Sequence, residues 1–305
     1  MLFTFFSFYD KILVILITIL LGVEFMPALV LEGGTFRPTF SCGVMDALLD
    51  SGVEFEYVIG VSAGISNAVS YLSKQRGRNL EILQKYRNDK RYVGFRNIFT
   101  DRSIFGRKFI YETIPQELIP FDHDTFFANP AKYVVGVTNA KTGEMVYLDR
   151  KDRINGFKLL QATCALPIAF PPIMYNGTQY YDGGLVDSIP AKKALDDGNE
   201  KMLIVLTRTK GYVKTESKGY KVAAAILKRK YPKIAELILT RHTRYNKEVE
   251  FCNQLEREGK AVILRPSEEA QISSFESDLA KLERNYQYGY DLAMENIEQI
   301  KALFN

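Results

Sequence analysis

Tyr57-Val58-Ile59-Gly60-Val61-Ser62-Ala63-Gly64 is the stretch on which the fold turns. A short apolar strand runs straight into Gly-x-Ser-x-Gly, and a helix follows through Ala68 and Tyr71. Strand, sharp turn and helix in immediate succession is the pattern of a βαβ unit, and so of a parallel sheet. Upstream, Ala28 to Leu31 reads as a buried strand ending in the tight loop Glu32-Gly33-Gly34. Phe40 to Leu49 carries Val44 and Leu48 at helical spacing and stops near Gly52. Downstream, residues 74–131 are polar and irregular and read as an insertion or cap. Tyr133 to Val137 and Met145 to Leu148 read as strands about the turn Lys141-Thr142-Gly143. Phe157 to Cys164 reads as a helix, Gln179 to Tyr181 as a strand entering Asp182-Gly183-Gly184, and Met202 to Leu206 as the last clear core strand. A helix starts at Pro190, with proline in its first turn. Residues 219–258 are mostly helical, Ala261 to Leu264 reads as a small extra strand, and 275–303 reads as a final helix.

Three short motifs carry chemistry. Gly60 and Gly64 flank Ser62 as in a nucleophile elbow, where the serine stands on a strained turn and its neighbours must be small. The helix that follows points its positive end at developing negative charge. In the loop Glu32 to Arg37, consecutive glycine amides can form an oxyanion hole. No Gly-Lys-Ser/Thr follows, so a phosphate-cradling P-loop is unsupported. Arg37 can support that loop, bind a lipid phosphate or pair with an acid. Asp182 stands at a strand end, where the glycines after it permit close approach to another loop.

Composition limits the alternatives. Of the 305 residues 47% are hydrophobic and 25% charged, enough for a folded core. The three cysteines, Cys42, Cys164 and Cys252, are far apart and form no zinc or disulfide pattern, which fits a reducing compartment. With only His123 and His242, any histidine metal site or catalytic triad must use one of these two. Net charge is +4, but Arg208 to Arg265 holds 15 Lys/Arg against 6 Asp/Glu, a local +9 that suits an anionic membrane surface or nucleic acid, or simply a solvated helical face. Ile12 to Val23 is uncharged and nearly all apolar, shorter than the ~20 residues of a comfortable span. It reads as an anchor, a signal core, or an extension upstream of a start at Met26.

Together the motifs resemble the patatin-like phospholipase family, whose blocks are a Gly-rich loop with Arg, Gly-x-Ser-x-Gly, and Asp-Gly-Gly/Ala. The similarity extends to Asn67, Ser70-Tyr71, the run Gln161 to Pro167, and Phe170-Pro171-Pro172. It covers residues 28–207, and the tail looks like that of a bacterial subgroup. The resemblance implies a three-layer α/β/α fold with a central, mostly parallel sheet and a helical C-terminal extension. It divides the chain into a hydrophobic segment 1–25, a catalytic domain 26–210 and a basic helical region 211–305. It implies a serine acyl hydrolase acting on a lipid or phospholipid, without metal or cofactor and without nucleic acid. Ser62 would attack the ester and Asp182 would take its proton, with Gly33, Gly34, Thr35 and Arg37 forming the oxyanion loop. The location implied is the cytoplasm or the cytoplasmic face of a membrane.

This chain departs from the family at two places. Thr35 stands where a third glycine is usual, and a left-handed backbone there costs ~1–2 kcal/mol. Pro38 replaces another glycine, lacks an N–H and pushes Arg37 toward extended geometry. Two rival readings follow: a Ser62–Asp182–His242 triad, whose chain order is permitted, and a catalytically weak binding or regulatory protein. Against the triad, His242 lies in a basic helical run and His123 in an exposed turn.

Overall fold

The computed structural model describes residues 26–149 and 156–305. The readings of Ile12 to Val23 and of the chain start lie outside the described residues. Strand β1 (Ala28–Leu31) is buried at every position. An apolar run without alternation belongs to a strand covered on both faces. Leu29 and Leu31 enter one core with Phe40, Leu48 and Ile65, while Ala28 and Val30 enter a second with Ile189, Ala194, Tyr245 and Leu255. Helices therefore flank the sheet on both sides, in three α/β/α layers.

The order along the chain is α1 (Thr39–Asp50), β2 (Tyr57–Val61) and α2 (Ser62–Leu72), then a cap of short helices. The cap holds α3 (Arg78–Tyr86), α4 (Asn97–Asp101), a π-helical turn (Phe109–Leu118) and α5 (His123–Ala128). The hairpin β3 (Lys132–Asn139) and β4 (Met145–Asp149) follows, then α6 (Gly156–Thr163), β5 (Ile173–Tyr175) and β6 (Thr178–Asp182). The chain continues through α7 (Ala191–Asp196), β7 (Met202–Val205), α8 (Lys218–Leu227) and α9 (Pro232–Arg257). It ends with β8 (Ala261–Leu264), α10 (Leu279–Glu295) and α11 (Ile297–Lys301). Pro190 sits one place before α7, at its N-cap.

The sheet runs β5-β6-β3-β2-β1-β7-β8, with β4 also on β3. Pairings among β3, β2, β1, β7 and β8 are parallel, and those of β4, β5 and β6 are antiparallel. One consequence positions the site. A strand has two edges, and β4 occupies one edge of β3 from Val134 to Thr138. β2 and β6 must share the other. β2 pairs as far as Val61 with Gly136, and β6 takes over with Asp182 on Val137. The end of β2, just before Ser62, and the end of β6, at Asp182, thus lie opposite neighbouring residues of one strand.

The C-terminal region is packed into this framework. β8 pairs with β7 throughout its length. α10 crosses α1 so closely that a Cβ on Gly43 or Gly289 would strike the backbone of Tyr286 or Phe40. Among the described residues no helix is long and apolar enough to cross a membrane.

Candidate active site

Ser62 is the first residue of α2, and its φ of 55° lies in the left-handed region that L-residues seldom adopt. The strain is held from several sides. Ser62 N–H donates to Thr163 Oγ1 at 2.8 Å, and that hydroxyl donates to the Gly136 carbonyl at 2.7 Å. Thr163 therefore ties the turn at Ser62 to β3. A Cβ on Gly60 would lie 2.7 Å from the Leu31 carbonyl, and one on Gly64 would strike that of Glu32. The elbow thus has no room for larger residues at either position.

Asp182 is 1% exposed. Its backbone N–H donates to Ala165 O at 3.0 Å, and its carbonyl accepts from Thr138 Oγ1 at 2.8 Å. Oδ1 accepts from Gly184 N–H at 2.8 Å. Oδ2 is buried without a hydrogen-bond partner among the described residues. Burial pushes the carboxyl pKa up to about 6, while the nearby Ser62 hydroxyl, Arg241 and the Gly184 amide hold it down. Ser62 thus lies near enough to bias the titration of Asp182, though Oδ2 remains unbonded. A desolvated carboxylate with a free oxygen beside a hydroxyl is a stronger base than one in water.

The loop after β1 passes directly beside Ser62: a Cβ on Gly33 would lie 2.8 Å from Ser62 Cβ. The N–H groups of Gly33, Gly34 and Thr35 have no acceptor among the described residues. Thr35 does adopt the left-handed conformation, with φ 58°. Rather than opening into an extended stretch, the loop continues as overlapping turns. Arg37 N–H donates to Gly34 O at 3.1 Å, Thr39 N–H to Phe36 O at 3.1 Å, and Phe40 N–H to Arg37 O at 3.2 Å. Pro38 falls at the N-cap of α1, where a missing N–H costs little. The Arg37 backbone N–H is therefore occupied. Its buried guanidinium bonds Thr207 Oγ1 at 3.2 Å and Ser274 Oγ, so it braces the loop from behind.

A cavity of about 160 Å³ opens at Ser62 and is mostly apolar. Ser66 and Asn67 continue its wall along α2, and Phe105, Tyr111, Leu160 and Phe170 close over it from the cap and from α6 onward. Arg78 also lines it; its Nη2 donates to Ile119 O at 3.0 Å and its Nε is buried without a hydrogen-bond partner among the described residues. Cys42 and Cys164 also line the cavity; burial pushes the Cys164 thiol up to about 12, so it stays protonated near neutral pH. Neither histidine lines the cavity. His123 packs against Phe121, Phe127 and Phe157, and His242 lies on α9 with Nδ1 buried and without a hydrogen-bond partner among the described residues.

Sequence reasoning missed two groups. Thr163 was marked only as part of the run Gln161 to Pro167. The second is the inward-turned part of the basic segment. Arg241 Nε donates to Gly184 O at 2.7 Å and Arg244 to Leu185 O at 2.8 Å, bracing the turn after Asp182. Lys214 is buried over the Tyr245 ring, and burial with Arg241 and Arg37 nearby pulls its pKa down to about 7. Part of the local +9 thus faces the site and not the solvent.

The chain matches the family described as patatin-like phospholipase over residues 29–195 and a domain of unknown function (DUF6363) over 231–305. It is 24% identical over 186 residues to the uncharacterized protein YjjU of Escherichia coli K12, covering 59% of this chain and 51% of that protein. It is 26% identical over 197 residues to the probable lipid hydrolase 463L of invertebrate iridescent virus 6, covering 58% of this chain and 66% of the viral protein. The matches thus span about half to two thirds of the length of these relatives. VipD of Legionella pneumophila aligns over 90% of this chain and 67% of its own, with a TM-score of 0.44 and 14% identity. The match over 29–195 takes in Ser62, Asp182 and the loop after β1, and on it the chain belongs to the patatin-like phospholipase family.

Proposed function

We propose that the chain is a serine acyl hydrolase that cleaves carboxylic esters of lipids through a Ser62–Asp182 dyad and an acyl-enzyme. The observation that most supports this reading is the pairing of a strained Ser62 with a fully buried carboxyl whose pKa is raised to about 6. Near neutral pH that carboxyl is mostly ionised and basic enough to accept a proton. Ser62 Oγ attacks the ester carbonyl as Asp182 takes the hydroxyl proton. The developing oxyanion is met by the free N–H groups of Gly33, Gly34 and Thr35, fixed donors that need no reorganisation. Asp182 returns the proton to the leaving alkoxide. Water then attacks the acyl-enzyme with Asp182 again as base, and Ser62 is regenerated. The acyl chain occupies the apolar cavity that opens at Ser62.

The features that favoured a catalytically weak protein are accommodated: Thr35 adopts the turn a glycine would, and Pro38 ends the loop without breaking it. Free cysteines support a cytoplasmic location or the cytoplasmic face of a membrane. The test is kcat/KM on one soluble short-chain ester, with circular dichroism as the control for folding. Ser62→Ala should lose activity by at least ~10³-fold, while His123→Ala and His242→Ala keep most of it. A folded, inactive His242→Ala protein would return the triad, and an active Ser62→Ala protein would remove the nucleophile.

A further inference from the structure

The cap carries an apolar tip that nothing among the described residues covers. Tyr92 to Gly106 doubles back on itself: Val93 bridges Phe105, Gly94 N–H donates to Ile104 O at 2.8 Å, and Gly106 N–H donates to Tyr92 O at 3.0 Å. Buried Asn97 fastens the inside of this hairpin, its amide reaching the carbonyls of Lys90, Arg91 and Ile104. At the tip, Phe95 is 83% exposed and Phe99 88%, with Ile98 half exposed between them. A single exposed aromatic is ordinary, but several together on a braced tip mark an interaction site.

The charge around the tip points to one partner. From Asp89 to Lys108 there are six Lys/Arg and two Asp, a net +4 within twenty residues. Lys90, Arg96, Arg102 and Lys108 are exposed, and no ion pair involves them among the described residues. Apolar residues at the centre with a cationic collar fit a bilayer carrying anionic lipid, where aromatics enter the acyl boundary and cations meet the headgroups. The base of the hairpin supplies the second argument. Tyr92 and Phe105 line the cavity that opens at Ser62, and Phe105 contacts half-exposed Phe275. A surface that seats the tip therefore stands next to the cavity.

We propose that Phe95, Ile98 and Phe99, ringed by Lys90, Arg96 and Arg102, dock this protein on anionic membrane surfaces and hold the Ser62 cavity against the lipid. The choice of a bilayer over a protein rests on the lipid-hydrolase reading. The docking itself is independent of turnover and is tested without it.

The chain contains no tryptophan, so Phe99→Trp supplies a single fluorescent reporter at the tip. It is mixed, as the full chain, with phosphatidylcholine vesicles with and without phosphatidylserine. With the anionic vesicles its emission should shift to the blue and be quenched by lipids brominated on the acyl chain. Phe95→Ser combined with Phe99→Ser should weaken sedimentation with these vesicles by at least ~10-fold, from the apolar surface no longer inserted. Lys90→Gln with Arg96→Gln should remove much of the salt dependence of binding. All of these variants should hydrolyse a soluble ester like the wild type. An unmoved Phe99→Trp emission, or a serine double variant that binds vesicles as tightly as the wild type, would overturn the proposal. So would a wild-type dimer that the serine variant breaks while vesicle binding stays unchanged. Failure of every protein to hydrolyse the ester would instead refute the enzymatic reading and leave the vesicle result standing.

Discussion

Replacing Asp182 by asparagine should separate what this residue does for catalysis from what it costs the fold. Burial raises its pKa from the ordinary 3.8 to about 6. At 1.36 kcal/mol per unit this corresponds to about 3 kcal/mol of native stability. The sign follows from which form the fold prefers. An acid with a raised folded pKa contributes stability that is fully present below 3.8 and is lost as pH rises through about 6. Asparagine keeps an acceptor for Gly184 N–H and cannot ionise. Relative to the wild type, Asp182→Asn should therefore gain about 2–3 kcal/mol between about pH 4 and pH 8. Taking the change with pH, and not the absolute difference, cancels the constant cost of a buried amide. The assay is urea unfolding of both proteins across that range, followed by circular dichroism. The same substitution removes the base of the proposed dyad, so kcat/KM on a soluble ester should fall by at least ~10³-fold. Wild-type kcat/KM should decline as pH drops below about 6. A stability difference flat across this pH range would refute the raised pKa, and a variant that remains active would refute the dyad.

Thr163→Val removes the hydroxyl that bonds both Ser62 N–H and Gly136 O. It should cost about 1–3 kcal/mol in urea unfolding and lower kcat, and unchanged kcat would deny Thr163 its hold on the elbow. Arg241→Gln deletes a cation that holds the Asp182 pKa down, so the acid limb of the kcat/KM profile should move to higher pH. An unmoved limb would mean the guanidinium does not act electrostatically on Asp182. Gly289→Val forces a side chain into the Phe40 backbone across the α1–α10 crossing and should destabilise by about 1–3 kcal/mol. A denaturation midpoint equal to that of the wild type would show that the crossing can open without cost.

What could be read from the chain was local. β2 and α2 announce themselves because the apolar period changes within a few residues, at a glycine-flanked serine. Asp182 was legible because it closes a strand and is followed by two glycines. β5 is not legible from its own residues, although Asn176-Gly177 stands between Tyr175 and Thr178 and both residues take positive φ. That dipeptide is a strong hairpin signal, and three residues after two prolines were too short to show alternation. β8 read as a small extra strand, yet it is a parallel neighbour of β7 that extends the main sheet. Thr163, Glu32 and Arg241 were beyond reach for a different reason. Each acts through a partner between 27 and 213 positions away, and no local period encodes such a contact.

Those distant contacts explain why the loops around Ser62 hold their shape. Glu32 closes β1 and is buried, and a buried carboxylate must find partners. Its Oε2 accepts from Thr207 N–H at 2.6 Å and its Oε1 from the Tyr245 hydroxyl at 3.1 Å, so α9 and the segment just after β7 fix the start of the Gly33–Thr35 loop. Arg37 anchors the other end of that loop on Thr207 and Ser274. Arg241 and Arg244 reach from α9 to the turn that follows Asp182. Every one of these supports comes from residues after β7, outside the 29–195 region that carries the family match. If the amides of Gly33 to Thr35 are to meet an oxyanion without moving, their rigidity comes from the C-terminal region. Its basic residues act here as donors to loop carbonyls, which is why a count of surface charge alone misjudges them.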